Sequence, residues 1–364
     1  MKVIIVGAGI HGLCLAWALA REGHAVTVID RHTIPNPLNA SYDQHRLIHD
    51  FNRLANDDPT ITQAFAAWQA LSCDIGPLYV ETGAVCGFAD AAHAAPALDG
   101  LRNSGVAAHL LDEKELRNRL PGLRPDPGCC AIATTRGGIL LADQIAILLT
   151  DWLARRNVKL RPNTTVASLD LDCPAAVLAD GESVPADIVV ACAGAATIDL
   201  FPMLAGSVGA RRQLVAYVDP PPRLVAAWRQ APVFVNFGGS DDFWGAPPAA
   251  TTQLKLAAGR LARPGSPANP DERIVTAAET EALLDCCRDR LVQFDTYRVL
   301  RVGACFYSIA PQQHVVQCSL DFRHCVWMVA GHNGSDYKLA PALALRLATR
   351  LSRHREGSRP ADAR

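Results

Sequence analysis

Lys2-Val3-Ile4-Ile5-Val6-Gly7-Ala8-Gly9-Ile10-His11-Gly12 begins at the second residue of the chain, and its reading decides the fold. Four apolar, β-branched residues after Lys2 favour a strand. Three glycines at G-x-G-x-x-G spacing follow at once, then an apolar helical stretch over residues 13–21. Gly23 stops that helix, and Ala25-Val26-Thr27-Val28-Ile29 reads as a second strand ending on Asp30. Strand, glycine turn, helix, strand and acid in this order make the dinucleotide-type β-α-β unit. Gly7 permits the tight turn, Gly9 lets a pyrophosphate approach the backbone, and Gly12 lets the helix pack on the sheet. The helix N-terminus offers free N–H groups and positive dipole charge to phosphates. Asp30, eighteen residues after Gly12, is placed to accept hydrogen bonds from ribose hydroxyls. The unit alone does not choose NAD over FAD, and its N-terminal position leans towards FAD.

The 364 residues exceed what one small core organises and suit two domains. A net charge of −1 leaves no basic footprint for nucleic acid. No apolar run reaches eighteen residues, so no transmembrane helix and no membrane partner are expected. A cleaved leader would take part of the first strand with it, so a cytoplasmic protein is expected. Twelve cysteines are scattered with no C-x-x-C spacing. They are expected to be reduced and mostly buried as small apolar residues, and no metal site is expected.

Beyond Asp30, residues 31–41 are rich in turn formers. Tyr42-Asp43-Gln44-His45-Arg46-Leu47-Ile48-His49 is a polar loop in this reading. It is either simply solvated or returns beneath the cofactor and aims Arg46 and His49 at the reactive ring. Helical spacing covers residues 60–71, a strand 79–87, and two short helices 92–120 around residues 106–111. Asp143 is expected to cap a helix running to Arg156. Strands are expected at 158–160 and 165–171, a hairpin at 176–181, and a buried strand at 187–195. Short β runs punctuated by Pro and Gly fill 211–300, with a helix at 274–293 and a strand at 296–303, the texture of an antiparallel sheet. A strand, a glycine turn and a long apolar helix occupy 326–351, and a frayed polar tail is expected from Ser352.

From Lys2 to about Leu351 the chain resembles the D-amino-acid-oxidase-like flavoproteins, and within them the monomeric sarcosine oxidase and N-methyl-amino-acid oxidase branch. The resemblance rests on the fingerprint and four further stretches. Residues 41–49 are similar to a Ser-rich loop ending in Arg-Ile-Ile-Arg. Gly245-Ala246-Pro247 with Leu254-Lys255-Leu256 resembles a pocket strand and its lysine. Gly303-Ala304-Cys305-Phe306-Tyr307, with Pro311 and His314, is similar to a flavin-linkage segment. Residues 331–338 resemble a closing glycine turn and lysine.

The resemblance implies an α/β fold, with a Rossmann-like FAD-binding domain and a second domain of mainly antiparallel sheet and flanking helices. The first would comprise residues 1–45, 140–210 and 300–352, the second 46–139 and 211–299, with 353–364 a flexible tail. It implies FAD contacts from Gly7, Gly9, Gly12, Asp30, Arg31, Ser41, Val166, Gly194, Gly334 and Lys338, and a covalent bond from Cys305 to the flavin. The bland alternative for Cys305 is a buried apolar cysteine. Lys255 would sit near flavin N5 and speed reaction with dioxygen, the alternative being a surface lysine on a strand edge. Arg46 and a helix beginning near Ser335 would stabilise negative charge on the reduced ring, and Arg46, Lys255 and His49 form the expected catalytic group. His49, Lys338, Asp336 and Tyr337 would meet the substrate. His49 stands where the family has arginine, and Asp336 where glycine is usual, which points to a larger, cyclic or less acidic amine than sarcosine. The implied activity is oxidation of a C–N bond to an imine and hydrogen peroxide by a monomer or homodimer. A carrier-linked flavin dehydrogenase of an amine or hydroxy acid, and a non-catalytic flavin-binding subunit, are the alternatives.

Overall fold

The computed structural model describes residues 1–51, 59–310, 316–331 and 336–357, without the side chains of 59, 60, 316, 336 and 354–357. Pro311, His314, Gly334, Ser335 and the Asp336 side chain therefore lie outside the described residues.

The opening stretch forms strand Lys2–Val6, helix Ile10–Arg21 and strand Ala25–Ile29, and the two strands pair in parallel. On its other side Lys2–Val6 pairs in parallel with Ile188–Ala191, which pairs with Val326–Ala330. Lys159–Arg161 extends one edge in parallel, and Val316–Ser319 closes the other antiparallel. Helix Ile10–Arg21 is buried from Ile10 to Leu19 because it packs against helices Ala142–Arg155 and Ala340–Gly357 as well as the sheet. Trp17 is wholly buried and finds a polar partner in Asp74, to which its Nε1–H donates at 2.8 Å.

A second, nine-stranded sheet is mainly antiparallel. Arg298–Ile309 pairs along all of Gly209–Asp219, which pairs in turn with Leu254–Ala258, and Phe243–Ala246 and Val233–Phe237 continue the order. One junction is parallel, between Val233–Phe237 and Ala84–Phe88. Leu254, Leu256, Phe234, Trp228 and Leu283 pack into the core on one face, covered by helix Ala277–Arg290. The fold class is α/β: a Rossmann-like parallel sheet with helices, joined to a mainly antiparallel sheet with its own flanking helices.

Several local expectations are corrected. Arg46–His49 is not a loop but a strand, antiparallel to Gly137–Leu140. On its other side Gly137–Leu140 pairs with Tyr79–Glu81, and Gly138 permits that approach, since a Cβ there would meet the Val80 carbonyl oxygen at 2.1 Å. The expected strand 79–87 is two strands in different sheets, Tyr79–Glu81 and Ala84–Phe88, parted at Gly83 with φ +76°. Asp143 is not a cap: the helix starts at Ala142 with Leu141 at the cap position, and Asp143 sits in its first turn, where an acid still suits the dipole. The strand expected at 296–303 runs over Arg298–Ile309, carrying Cys305 into the antiparallel sheet. Ser352 is not in a frayed tail. Helix Ala340–Gly357 continues through it, and its hydroxyl donates to Glu22 Oε2 at 2.6 Å. No disulfide joins the described cysteines, and seven are buried. Among the described residues no helix is long and apolar enough to cross a membrane.

Candidate active site

One cavity of about 1530 Å³ opens at the C-terminal ends of the parallel strands and runs to the face of the antiparallel sheet. Crevices at such strand ends are where open α/β sheets bind ligands. Gly7, Gly9, Asp30, Arg31, Ser41, Val166 and Gly194 all line it. Gly7 has φ +107°, and a Cβ there would lie 2.4 Å from the Cys192 carbonyl oxygen. Gly9 is open: an added Cβ would meet only Ser41 Oγ, at 3.3 Å. Gly12 stands back from the cavity, against the carbonyl of Gly7. Asp30 Oδ2 accepts from the Ala8 N–H at 2.8 Å and Oδ1 from the His32 N–H at 2.9 Å, which pins the glycine turn to the end of the second strand.

Gly9, the cap of helix Ile10–Arg21, makes no side-chain cap bond. Ser41 substitutes from a distance: its Oγ accepts from the Ile10 N–H at 2.9 Å and donates to Asn39 Oδ1 at 2.9 Å. Ser41→Ala is expected to cost about 1 kcal/mol of stability, read as a lower urea midpoint at unchanged slope. Arg31 lies 3.7 Å from Asp199. Arg273, also on the wall, has its pKa lowered by burial and then by the charge of Arg31. Two arginines that repel each other on one cavity wall suit a bound phosphate. Volume, open glycine backbone and this charge together fit a flavin dinucleotide.

Strand periodicity sets the opposite wall. Leu254 and Leu256 point into the core, so Lys255 points the other way, onto the cavity. Gln213 and Val215 from the next strand and Cys305 and Tyr307 from the one beyond share that face. Lys255 stands opposite Tyr217 in the pairing, and Tyr217 opposite Arg301. Lys255 is only 2% exposed; its Nζ lies 5.6 Å from the Trp244 ring centre and 5.9 Å from that of Tyr217.

The charges converge on Asp43. Its Oδ2 accepts from Lys255 Nζ and from Arg46 Nη1, each at 2.5 Å, and Oδ1 accepts from the Tyr217 hydroxyl at 2.5 Å. Burial opposes the Asp43 charge, but Lys255 and Arg46 outweigh it and hold the carboxyl well below its usual range. Burial, then Arg46, lowers the Lys255 pKa, while Asp43 works to raise it. Burial pushes the Cys305 thiol up, with Arg46 and Lys255 pulling against it. Buried His45, beside the cluster, is pushed down to about 3, by burial first and Lys255 second, so its imidazole is neutral.

The third part of the wall joins His49 and Lys338, whose Nζ lies 3.3 Å from His49 Nε2. Lys338 is buried, and its carbonyl accepts from Trp68 Nε1 at 2.7 Å. Tyr337 stacks on Trp68 with ring centres 5.7 Å apart, and the Arg46 guanidinium lies 6.0 Å from its ring. Burial pushes the Tyr337 phenol well up, and the group stays protonated. Asp50, buried on the same wall, takes Arg136 through Nε at 3.0 Å and through Nη2.

The structure thus brings Arg46, His49, Lys255, Cys305, Tyr337 and Lys338 to one cavity with the nucleotide-end residues, and leaves Gly12 behind the turn. Asp43, Tyr217, Trp244 and Asp50 are additions. Asp43 lies within the Tyr42–His49 stretch already singled out and Asp50 directly follows it, whereas Tyr217 and Trp244 are placed only by the strand pairing around Lys255. Among the described residues no His, Cys, Asp and Glu cluster suits a metal ion.

The FAD dependent oxidoreductase family model matches residues 2–350. Human peroxisomal sarcosine oxidase is 21% identical, over 93% of this chain and 89% of its own length. Monomeric sarcosine oxidase of Bacillus sp. (strain B-0618) is 21% identical, over 93% and 88%. A modified fructosyl peptide oxidase from Aspergillus nidulans has the same fold: TM-score 0.82 at 19% identity, over 99% of this chain and 91% of that one.

Proposed function

The chain belongs to the FAD dependent oxidoreductase family, and from that premise we propose that it oxidises a C–N bond of an amino acid or of a secondary or cyclic amine, yielding an imine and hydrogen peroxide. One observation carries the reading: a single cavity wall runs from Gly7, Gly9 and Asp30 to Lys255, Cys305, His49 and Lys338. FAD, when bound, supplies the two-electron redox chemistry. Gly7, Gly9, Asp30, Arg31, Ser41, Val166 and Gly194 would hold its nucleotide half, Gly12 keeps the helix packed behind the glycine turn, and Cys305 would be the attachment point of its ring. In this reading the parallel sheet is the FAD-binding domain and the antiparallel sheet the substrate-binding domain, with Arg298–Ile309 as wall to both.

Lys338 and His49, side by side on the cavity wall, bind a carboxylate. Tyr337 lines the same cavity, and histidine at position 49 with an acid at position 336 favours a larger, cyclic or less acidic amine. Lys255 presents a desolvated cation where negative charge builds on dioxygen, and Arg46 supports negative charge on the reduced ring. An amine bound in its neutral form already has its lone pair free, so no side chain is assigned as a general base.

The mass of the denatured protein, taken with its visible spectrum, tests cofactor and linkage together. The expected result is a yellow acid precipitate heavier by one FAD. Cys305→Ala is then expected to release all flavin on denaturation; colour that stays with the polypeptide refutes attachment at Cys305. Peroxide formation measured against dye reduction over a panel of amines tests the reaction. Dye reduction without peroxide identifies a carrier-linked dehydrogenase instead.

A further inference from the structure

We propose that Asp43 is the positioning residue for Lys255: it fixes the ammonium group at the cavity wall and keeps it protonated. This rests on the role given to Lys255 above. Asp43 lies behind the wall, and its carboxylate grips Lys255 Nζ and Arg46 Nη1 at 2.5 Å through one oxygen and the Tyr217 hydroxyl at 2.5 Å through the other. Arg301 Nη2 stands 3.8 Å from that second oxygen, and the Arg301 guanidinium stacks on Tyr217 with its Cζ 3.6 Å from the ring centre.

The groups facing Lys255 come from every neighbouring strand and from the segment before Arg46–His49. They are Arg46, the neutral His45, the Cys305 thiol, the rings of Tyr217 and Trp244, and Asp43. Arg46 and desolvation both act to strip the proton from Lys255, and Asp43 is the carboxylate in contact that opposes them. An opposite charge at this range favours the charged form strongly where water is excluded. A lysine side chain also has wide rotamer freedom, which the Asp43 contact and the flanking rings remove in advance.

The test uses photoreduced holoenzyme, reoxidised by dioxygen over a range of pH, so that no amine is involved. The rate is expected to fall with rising pH as Lys255 loses its proton. In Asp43→Asn that fall moves to lower pH by about one to three units, while Asp43→Glu stays near wild type. Lys255→Arg, which does not titrate, removes the fall, and adding Asp43→Asn to it moves nothing. Superimposable profiles for wild type and Asp43→Asn overturn the proposal, as does a shift that persists with Lys255→Arg. Asp43→Thr, smaller and uncharged, serves where Asn does not fold. A protein that binds no flavin defeats the functional reading, yet the role of Asp43 is still decided. Acetylation of Lys255 by acetic anhydride, followed by peptide mass spectrometry, must begin at lower pH without Asp43, and an equal onset refutes the proposal.

Discussion

Lys255→Met is expected to slow reoxidation of the reduced holoenzyme by dioxygen about 100-fold or more, while anaerobic reduction by the amine changes far less. The lysine is 2% exposed on a cavity wall, where a fixed cation meets little screening by water. Methionine keeps the length of the side chain and removes the charge. Breaking a buried ion pair costs about 3–5 kcal/mol when it strands a charge. Here Asp43 keeps Arg46 and Tyr217, so the low end of that range applies and the variant stays folded. Lys255→Arg restores a cation and recovers most of the rate. Rapid-mixing absorbance separates the two half-reactions, and a methionine variant that reoxidises as fast as wild type removes Lys255 from the chemistry.

Gly12→Ala is expected to abolish flavin binding and lower stability by about 3 kcal/mol. Its Cβ would lie 2.0 Å from the Gly7 carbonyl oxygen and 3.3 Å from Ile5 Cγ2. The obstacle is backbone, so the helix must move off the sheet and carry its N-terminus away from the cavity. Gly9→Ala is the contrast: nothing but Ser41 Oγ at 3.3 Å faces the new methyl. That variant should melt close to wild type and lose flavin affinity alone. Thermal unfolding of the apoproteins together with flavin titration distinguishes them. Equal melting temperatures for the two variants would contradict the packing role of Gly12.

Much of this was legible because it is local. Residues 2–30 carry their own glycine turn, helix stop and periodicity, so the β-α-β unit follows from spacing. The orientation of Lys255 follows from the alternation of Leu254 and Leu256, since side chains on a strand must point to opposite faces. Element boundaries were less legible, because a neighbour decides them. Arg46–His49 became a strand only because Gly137–Leu140 lies beside it, and residues 79–87 divided at Gly83 because two sheets claim the two halves.

By itself, then, the sequence determined the nucleotide fold, the alternation that turns Lys255 away from Leu254 and Leu256, and the kind of cofactor to expect; the longer strand Arg298–Ile309 is what sets Cys305 on the same face. Only the tertiary structure decided what surrounds Lys255. Its contact with Asp43 joins residues 212 positions apart, and no local pattern encodes a partner at that distance. Whether a lysine is a solvated surface charge or a buried, paired cation depends on which sheet face closes over it. That is a property of packing, set when a segment following the parallel-sheet unit lies down against an antiparallel sheet made much later in the chain.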